Sequence, residues 1–304
     1  MEALIIIKDI LVLNGTIIWI YLEALFALIF GRKEKDVSGQ TIAITGAGQG
    51  FGKELAILFA ERGANVAVID VNQEKAEEVA ALISSIHGVK SIALQCDVRS
   101  PTAVKDTFNK VKQSLGEIDI LINNAGITNC RPLTTLTEAQ IENTFKVNVL
   151  AHFWSLKAVL PDMLSRRKGH IVSISSSAGL AGTGNLTDYC SSKFASVGLM
   201  RALEIELLDS GYDTEKEINL TTVCPLMMST GMFQACSSRF PSIFTNMDPE
   251  ECAKRAVYGI LTNEPLLVIP KHFELFHRLT TLHPSRVATA IQQFFGYRIQ
   301  RHDQ

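Results

Sequence analysis

From residue 41 onward, short apolar runs rich in β-branched residues alternate with longer stretches whose apolar residues recur at helical spacing. The apolar runs predict seven strands, TIAIT (41–45), NVAVID (65–70), SIALQCD (91–97), IDILINN (118–124), HIVSIS (170–175), INLTTVC (218–224) and LLVIP (266–270). The helical stretches between them begin near Gly50, Asn72, Pro101, Thr137, Thr187 and Asp248. Strands that alternate with helices favour right-handed crossovers and a buried parallel sheet covered on both faces. The pattern therefore predicts an α/β fold, a doubly wound parallel sheet in a single domain.

The amino terminus departs from this pattern. Between Ile10 and Phe30 only Glu23 is charged, and a helix of that length at a rise of about 1.5 Å per residue spans the hydrocarbon layer of a bilayer. No small-x-small cleavage site follows; the basic flank GRKEK (31–35) follows instead and favours the cytosolic side. We predict an uncleaved membrane anchor with the main domain in the cytosol. A buried core helix or a cleaved signal sequence is the alternative, and Glu23 leaves a hairpin or interfacial arrangement open.

These patterns divide the chain into residues 1–36, an anchor with a charged linker, residues 37–270, the main domain, and residues 271–304, a tail. The tail mixes Phe, Leu and Ile with Arg and His, as interfacial helices do, although it could equally pack on the domain or on a second subunit. Residues 226–247 are rich in Met and Phe and form a longer insertion before the last helix of the domain.

Charge and composition narrow the classes of partner. A net charge of −2 provides no basic block of the kind that follows nucleic-acid phosphates, so we expect no nucleic-acid partner. The six cysteines are scattered with no CxxC pair, which is typical of thiols that stay reduced, and the seven histidines are equally dispersed. We expect no metal site.

The first predicted strand runs into TGAGQGFG, where glycines recur just ahead of a helix. They allow a tight turn and a close backbone approach to a pyrophosphate at the amino end of the helix. The glycines are Gly46, Gly48, Gly50 and Gly52. Asp70 ends the second strand, where a carboxylate can accept hydrogen bonds from an adenosine ribose. The combination predicts a dinucleotide site on a Rossmann-type sheet, with a purely structural turn as the alternative.

The charge of Asp70 also bears on which dinucleotide binds. A carboxylate repels a 2′-phosphate, and neither Gln49 in the loop nor Val71 and Asn72 beyond the strand offers the positive charge that NADP needs. The sequence therefore favours NAD as the cofactor.

Polar residues also follow the third and fourth strands. Asp97 and the segment NNAG (123–126) lie at carboxyl ends of strands, where ligands bind in open α/β sheets. We predict that Asp97, Asn124, Ala125 and Gly126 line the cofactor site, and that Asn123 and Asn124 also have structural roles. Capping of loops and strands is the alternative for each residue taken alone.

The order and spacing of five motifs resemble the short-chain dehydrogenase/reductase family over roughly residues 38–270. The motifs are TGAGQGFG, NNAG, Asn148 in KVNVLA, Ser176 in SISSSAG, and YCSSK. The family carries its acid/base on a Tyr-x-x-x-Lys pair, which matches Tyr189 and Lys193, and its serine usually lies thirteen residues ahead of the tyrosine, which selects Ser176. Each of these residues has a structural alternative when it is taken singly.

The resemblance implies a division of chemical roles. A free tyrosine has a pKa near 10, and an ammonium one helical turn away together with a positive nicotinamide ring favours the phenolate, so we expect a lowered pKa for Tyr189. Tyr189 would take the proton of a substrate hydroxyl while hydride passes to NAD, and Ser176 would hydrogen-bond the same oxygen. By analogy with the family, Lys193 would hold the nicotinamide ribose, Asn148 a proton-relaying water, and Thr230 the cofactor's carboxamide. Leu226 stands where the family commonly has glycine.

The amino-terminal segment and the motifs near the site resemble a membrane-associated branch of the family that includes epidermal retinol dehydrogenases and lipid-droplet 17β-hydroxysteroid dehydrogenases. The resemblance implies a lipophilic alcohol or ketone substrate, retinol first and a steroid second, on the endoplasmic reticulum or the droplet surface. The insertion agrees with this, because methionines adapt to irregular apolar ligands, although it could instead pack on the core or a partner. Its apolar residues are Leu226, Met227, Met228, Met232, Phe233, Phe240, Ile243 and Phe244. A homodimer is expected from the family, and a droplet scaffold without catalysis is the alternative from another class.

Overall fold

The computed structural model describes residues 2–228, 232, 236–237, 239–240, 246–296 and 298–299. The chain forms two compact units, residues 1–35 and residues 36–304.

The first unit contains helix α1 (Glu2–Phe30). Within it, Ile5–Ala27 is long and apolar enough to cross a membrane, with a mean hydropathy of 1.9. The apolar helix predicted from the sequence is therefore present. Trp19 Nε1 donates to Glu23 Oε1 at 2.8 Å, so the acidic side chain within the predicted segment is hydrogen-bonded inside its own helix.

The second unit is built on a seven-stranded parallel sheet, as predicted. Its strands are β1 (Thr41–Thr45), β2 (Asn65–Asp70), β3 (Ser91–Gln95), β4 (Ile118–Asn123), β5 (Gly169–Ile174), β6 (Ile218–Pro225) and β8 (Leu266–Ile269). The order across the sheet is β3-β2-β1-β4-β5-β6-β8. Ile42 of β1 pairs with Val66 of β2 on one side and with Ile120 of β4 on the other, so the strand order reverses beside β1. A reversal of this kind opens a crevice at the carboxyl ends of the strands.

Helices cover both faces of the sheet. They are α2 (Gly50–Glu61), α3 (Gln73–His87), α4 (Pro101–Leu115), α5 (Glu138–Phe145), α6 (Ala151–Arg166), α7 (Thr187–Asp209) and α8 (Pro249–Leu261). One core layer joins the sheet to α2, α3 and α8 through residues such as Phe59, Ile83 and Ile260. The other joins it to α4, α6 and α7 through residues such as Phe108 and Met163. Alternate strand residues face the two layers, which confirms the doubly wound architecture.

The helical stretch predicted to begin near Thr137 contains an irregular turn. Thr137 caps α5 reciprocally with Gln140, and a π-helical segment, Lys146–Leu150, then connects α5 to α6. The third strand is also shorter than predicted, because the Asp97 carbonyl accepts from Ser100 N in a turn.

The carboxyl-terminal part adds α9 (Lys271–Thr281) and α10 (Ser285–Phe295). Two short strands, β7 (Cys236–Ser237) and β9 (Arg298–Ile299), pair antiparallel. Helix α9 contacts the sheet through Phe273, which packs against the buried cluster of Val197, Cys224 and Val268.

Candidate active site

A cleft of about 730 Å³ opens at the carboxyl ends of the strands. Its lining extends from the glycine-rich loop and Asp70 at one end to Ser176, Tyr189 and Met232 at the other. Residues that were far apart in the sequence therefore share one cavity, which lies where ligands bind in open α/β sheets.

The glycine-rich loop turns tightly between β1 and α2. Gly46 has φ +64° and Gly50 has φ +56°, a region that favours glycine. A Cβ on Gly52 would lie 2.3 Å from the Gly46 carbonyl oxygen and 2.5 Å from Asn124 Nδ2. Because these glycines carry no side chains, the backbone of the loop is accessible beside the amino end of α2. A pyrophosphate can bind to backbone N–H groups at such a position.

Asp70 is 9% exposed and accepts two backbone hydrogen bonds, from Gly48 N and from Asn72 N, each at 2.9 Å. Its carboxylate therefore supports the glycine-rich loop as well as lining the cleft. The structure also brings a cation to this loop: Lys75 Nζ lies 2.5 Å from Gln49 Oε1. The sequence argument for NAD did not consider Lys75, because that residue lies on α3 and only the fold places it here.

Asp97 lines the cleft but binds a neighbouring cation. Arg99 Nη2 lies 2.6 Å from Asp97 Oδ2, and this pairing lowers the pKa of Asp97. Arg99 Nη1 also donates to Asn143 Oδ1 at 2.8 Å. A second positive group therefore borders the cleft at the end that the sequence assigned to the dinucleotide.

The segment NNAG lies at the end of β4. Asn124 Nδ2 donates to the carbonyls of Thr45 and Gly46, both at 2.9 Å, and Asn124, Ala125 and Gly126 line the cleft. Asn123 is buried and accepts from Ser155 Oγ at 2.6 Å. The geometry accords with the structural roles expected for both asparagines.

Ser176, Tyr189 and Lys193 meet at the other end of the cleft. Tyr189 is 5% exposed, and its side chain is hydrogen-bonded to Ser176. Lys193 Nζ lies 5.6 Å from the centroid of the Tyr189 ring and donates to the Ile174 carbonyl at 2.8 Å. A Cβ on Gly126 would lie 3.5 Å from this Nζ, so the ammonium faces the floor of the cleft.

The ionisation of this group is set mainly by burial. Burial raises the pKa of Tyr189, while the hydrogen bond with Ser176 lowers it by less. Burial also lowers the pKa of Lys193 to about 8. The lowered tyrosine pKa expected from the sequence depends on a bound nicotinamide and stays a prediction; within the protein alone, loss of water around the phenol acts in the opposite direction and raises the pKa.

The adjacent serines have different partners. Ser175 Oγ donates to the Lys193 carbonyl at 3.0 Å and accepts from Ser196 Oγ at 2.9 Å, so it joins β5 to α7. Ser176 Oγ accepts from Ala178 N at 3.1 Å and faces Tyr189.

Asn148 is buried in the π-helical segment. Its amide accepts from Ile127 N at 2.8 Å and donates to the Ile127 carbonyl and to Ser192 Oγ, each at 2.9 Å. The side chain therefore joins the loop after β4 to α7. A Cβ on Gly126 would also lie 3.5 Å from Asn148 Oδ1, which places the amide close to Lys193.

Two buried polar groups near the site were not identified from the sequence. Asp188, directly before Tyr189, accepts from Asn129 Nδ2 at 2.7 Å and from Thr144 Oγ1 at 2.9 Å. His152 is 2% exposed, and its pKa falls to about 3 through burial and the nearby Lys193 charge. Sequence periodicity could place both on helices, but it could not show which neighbours surround them.

The end of the cleft beside Tyr189 is largely apolar. Leu186, Met227, Met228 and Met232 line it, together with Leu226, which is buried and donates its N–H to the Ile269 carbonyl at 2.7 Å. Phe240 packs against Phe294 and Phe295. Thr230, Phe233, Ile243 and Phe244 lie outside the described residues.

Residues 40–239 match the family model for short chain dehydrogenase, and the chain belongs to this family. Short-chain dehydrogenase/reductase family 16C member 6 of Bos taurus is 38% identical over 275 residues, which cover 89% of this chain and 85% of that protein. Epidermal retinol dehydrogenase 2 of Mus musculus is 36% identical over 95% of this chain and 93% of its own length. For 17-beta-hydroxysteroid dehydrogenase 13 of Homo sapiens the identity is 35%, over 95% of this chain and 94% of that protein.

Two solved structures share the fold. A short chain dehydrogenase/reductase from Burkholderia phymatum in complex with NAD has a TM-score of 0.73 and 22% identity, over 81% of this chain and 94% of that one. A metagenomic short-chain oxidoreductase in complex with NADP has a TM-score of 0.64 and 26% identity, over 77% of this chain and 98% of that one. The chain is therefore a short-chain oxidoreductase related to retinol dehydrogenases and 17β-hydroxysteroid dehydrogenases.

Proposed function

We propose that this protein transfers a hydride between NAD and a lipophilic alcohol or ketone, and that it oxidises all-trans-retinol to retinal. The observation that carries this proposal is the meeting of Ser176, Tyr189 and Lys193 at the apolar end of a cleft whose other end is the glycine-rich loop. A steroid with a 17β-hydroxyl group is the second candidate substrate, since a relative named for that activity is 35% identical.

A bound nicotinamide would supply the hydride acceptor. Tyr189 would take the proton of the substrate hydroxyl, and Ser176 would donate a hydrogen bond to the same oxygen. Lys193 would hold positive charge beside the phenol and would hold the nicotinamide ribose, and Asn148, which joins the loop after β4 to α7, would hold a relay water. Leu186 and Met227 exclude water from the apolar end.

We also propose that α1 anchors the protein in the endoplasmic reticulum membrane or on the lipid-droplet surface, with the catalytic unit in the cytosol. The apolar span Ile5–Ala27 and the basic flank that follows it support this orientation. A homodimer remains the assembly proposed from the family resemblance.

The test of the activity is NADH production by the membrane-bound protein and by Tyr189→Phe. We expect Tyr189→Phe to lose at least about 10²-fold in rate with all-trans-retinol, because general acid/base catalysis contributes that much. Tyr258→Phe, at a tyrosine that is 40% exposed on α8, should retain the wild-type rate. Turnover of estradiol and androstanediol alone would favour the steroid candidate. Binding of NADH without oxidation of any of these alcohols would favour a droplet scaffold.

The cofactor proposal is tested by competition between NADH and NADPH. Asp70→Asn removes the negative charge beside Gly48, and we expect the preference for NADH to fall about tenfold, the equivalent of ~1.4 kcal/mol. Lys75→Met should instead raise the preference for NADH, because it removes the ammonium beside Gln49 that could attract the 2′-phosphate of NADPH. A wild type that binds NADPH more tightly than NADH would contradict the proposal.

A further inference from the structure

Helices α9 and α10 have apolar residues on two sides. On the inner side Phe273 packs on the buried cluster of the domain, and Phe276 contacts Phe295 with ring centroids 5.3 Å apart. These contacts hold the two helices against each other and against the sheet. These inner contacts bury only some of the apolar side chains of α9 and α10.

The other side is exposed. Its large apolar residues have exposed fractions between 38% and 80%, and we call them the outer face: Leu275, Leu279, Leu282, Val287 and Phe294. Single exposed apolar residues are common in soluble proteins, but five large ones within residues 275–294, four on the two helices and Leu282 in the turn between them, indicate an interaction surface.

The charges around the outer face are mostly positive. Three cations are exposed here, Lys271, Arg278 and Arg286. Among the described residues 271–296 the one acidic residue is Glu274, whose Oε1 lies 2.5 Å from Arg278 Nη2. The whole chain carries a net charge of −2, so this positive region is local. An apolar strip flanked by cations complements an anionic lipid surface rather than a neutral protein groove.

The pair also lies beside loops that line the cleft. The Gln292 side chain donates to the Gly182 carbonyl, and the neighbouring Thr183 and Leu186 line the cleft. Arg239 N donates to the Phe295 carbonyl at 3.0 Å. The outer face is therefore carried by helices that contact the loop over the apolar end of the cleft.

We propose that the outer face of α9 and α10 lies on the surface of a membrane containing anionic lipid, and that lipophilic substrate enters the cleft beside it. This inference rests on the proposed membrane association and adds a second contact to that of α1. An amphipathic helix at an interface buries its apolar side by about 5–10 Å, which would shorten the path of an apolar alcohol through water.

The experiment uses the full-length chain in vesicles of phosphatidylcholine and phosphatidylserine. An environment-sensitive dye is attached at Leu282→Cys, at Leu279→Cys and, as a control, at Gln113→Cys on an exposed polar position of α4. Five native cysteines are buried, and the unmodified chain measures background labelling. Brominated lipids then report which dye lies at the interface.

We expect blue-shifted emission and quenching by brominated lipid at positions 279 and 282, and neither change at position 113. Replacing phosphatidylserine by phosphatidylcholine, or introducing Arg278→Glu together with Arg286→Glu, should reduce the quenching. If the chain sediments with vesicles but the dyes at 279 and 282 stay unquenched, α1 anchors it and the proposed contact is wrong. A blue shift that also occurs in detergent and depends on protein concentration would overturn it in favour of a second copy. A chain that does not sediment at all would contradict the anchor itself.

Discussion

Ser175 and Ser176 are neighbours whose hydroxyl groups contact different parts of the molecule. Ser176 faces the phenol of Tyr189, whereas Ser175 joins β5 to α7. We predict that Ser176→Ala lowers kcat by about 10²–10³-fold, as loss of one oxyanion donor does, and costs about 0.5–2 kcal/mol of stability, because the hydroxyl also accepts from Ala178 N. Ser175→Ala should leave kcat nearly unchanged and cost about 1–3 kcal/mol, because it leaves buried partners unsatisfied.

Steady-state kinetics and denaturant unfolding of the two variants, prepared in parallel, separate these effects. Each variant is the control for the other, since the substitution is the same and the two residues are adjacent, directly after β5. Equal losses of kcat in both variants would contradict the assignment of Ser176 as the residue that contacts the reacting oxygen.

Tyr189 shows why the pKa of a side chain cannot be read from its residue type and its sequence neighbours alone. The spacing to Lys193 is one helical turn, yet the two side chains are both buried, and burial raises the pKa of the tyrosine. Sequence spacing indicates which charges are near, but the loss of hydration depends on everything packed around the group.

At the scale of elements, the turn between β1 and α2 depends on Gly52. A Cβ at this position would lie 2.3 Å from a backbone oxygen, which a side chain cannot move aside. We predict that Gly52→Ala weakens dinucleotide binding at least about tenfold, since the loop must shift by enough to lose a hydrogen bond to the ligand.

The matched change is Gly198→Ala in α7, where a Cβ would meet no atom within 4 Å. Alanine there should stabilise the helix by about 0.5–1 kcal/mol and leave NADH affinity unchanged. Fluorescence titration with NADH and thermal unfolding measure the two outcomes. An unchanged NADH affinity of Gly52→Ala would show that dinucleotide binding does not require the close contact between residue 52 and the Gly46 carbonyl.

The π-helical segment Lys146–Leu150 is a second feature at this scale. It turns the Asn148 amide toward the loop after β4 and toward α7, where it makes three hydrogen bonds. The spacing of apolar residues from Thr137 onward predicted a helix but not its π-helical segment. A single π-helical turn shifts the spacing of the apolar residues by only one residue, which the sequence pattern does not reveal. Its position is fixed by contacts with other elements.

At the scale of the whole molecule, buried His152 should make stability depend on pH. Its folded pKa is about 3 against an ordinary value of 6.5, so between these values the unfolded chain binds more protons. The stability that this neutral histidine contributes is therefore complete above about pH 6.5 and is lost as the pH falls toward 3, by on the order of 5 kcal/mol. We predict that His152→Gln has a shallower loss of stability over this range than the wild type.

Denaturant unfolding in detergent at pH 7.5 and pH 4.5 measures this difference. His283→Gln, at an exposed histidine of the carboxyl-terminal part, should follow the wild-type slope. The same slope in His152→Gln as in the wild type would show that other groups account for the acid sensitivity.

The sequence by itself determined the elements and much of the chemistry. Apolar periodicity is a local property, so it placed all seven strands of the large sheet and the apolar amino-terminal helix, and the strand-turn-helix position of the glycines identified a dinucleotide loop. The motif order pointed to Ser176, Tyr189, Lys193 and Asn148 through resemblance. The structure then brought Ser176, Tyr189 and Lys193 to one end of one cleft, whereas Asn148 is buried and does not line it.

Tertiary structure alone decided which side chains from distant elements became neighbours. It placed Lys75 at Gln49, Asp188 at Asn129 and Thr144, and α10 at Gly182, pairs that no local spacing connects. It also decided the ionisation of Tyr189, Lys193 and His152. Desolvation and long-range hydrogen bonds depend on the atoms that surround a group in space, and those atoms come from parts of the chain that periodicity treats separately.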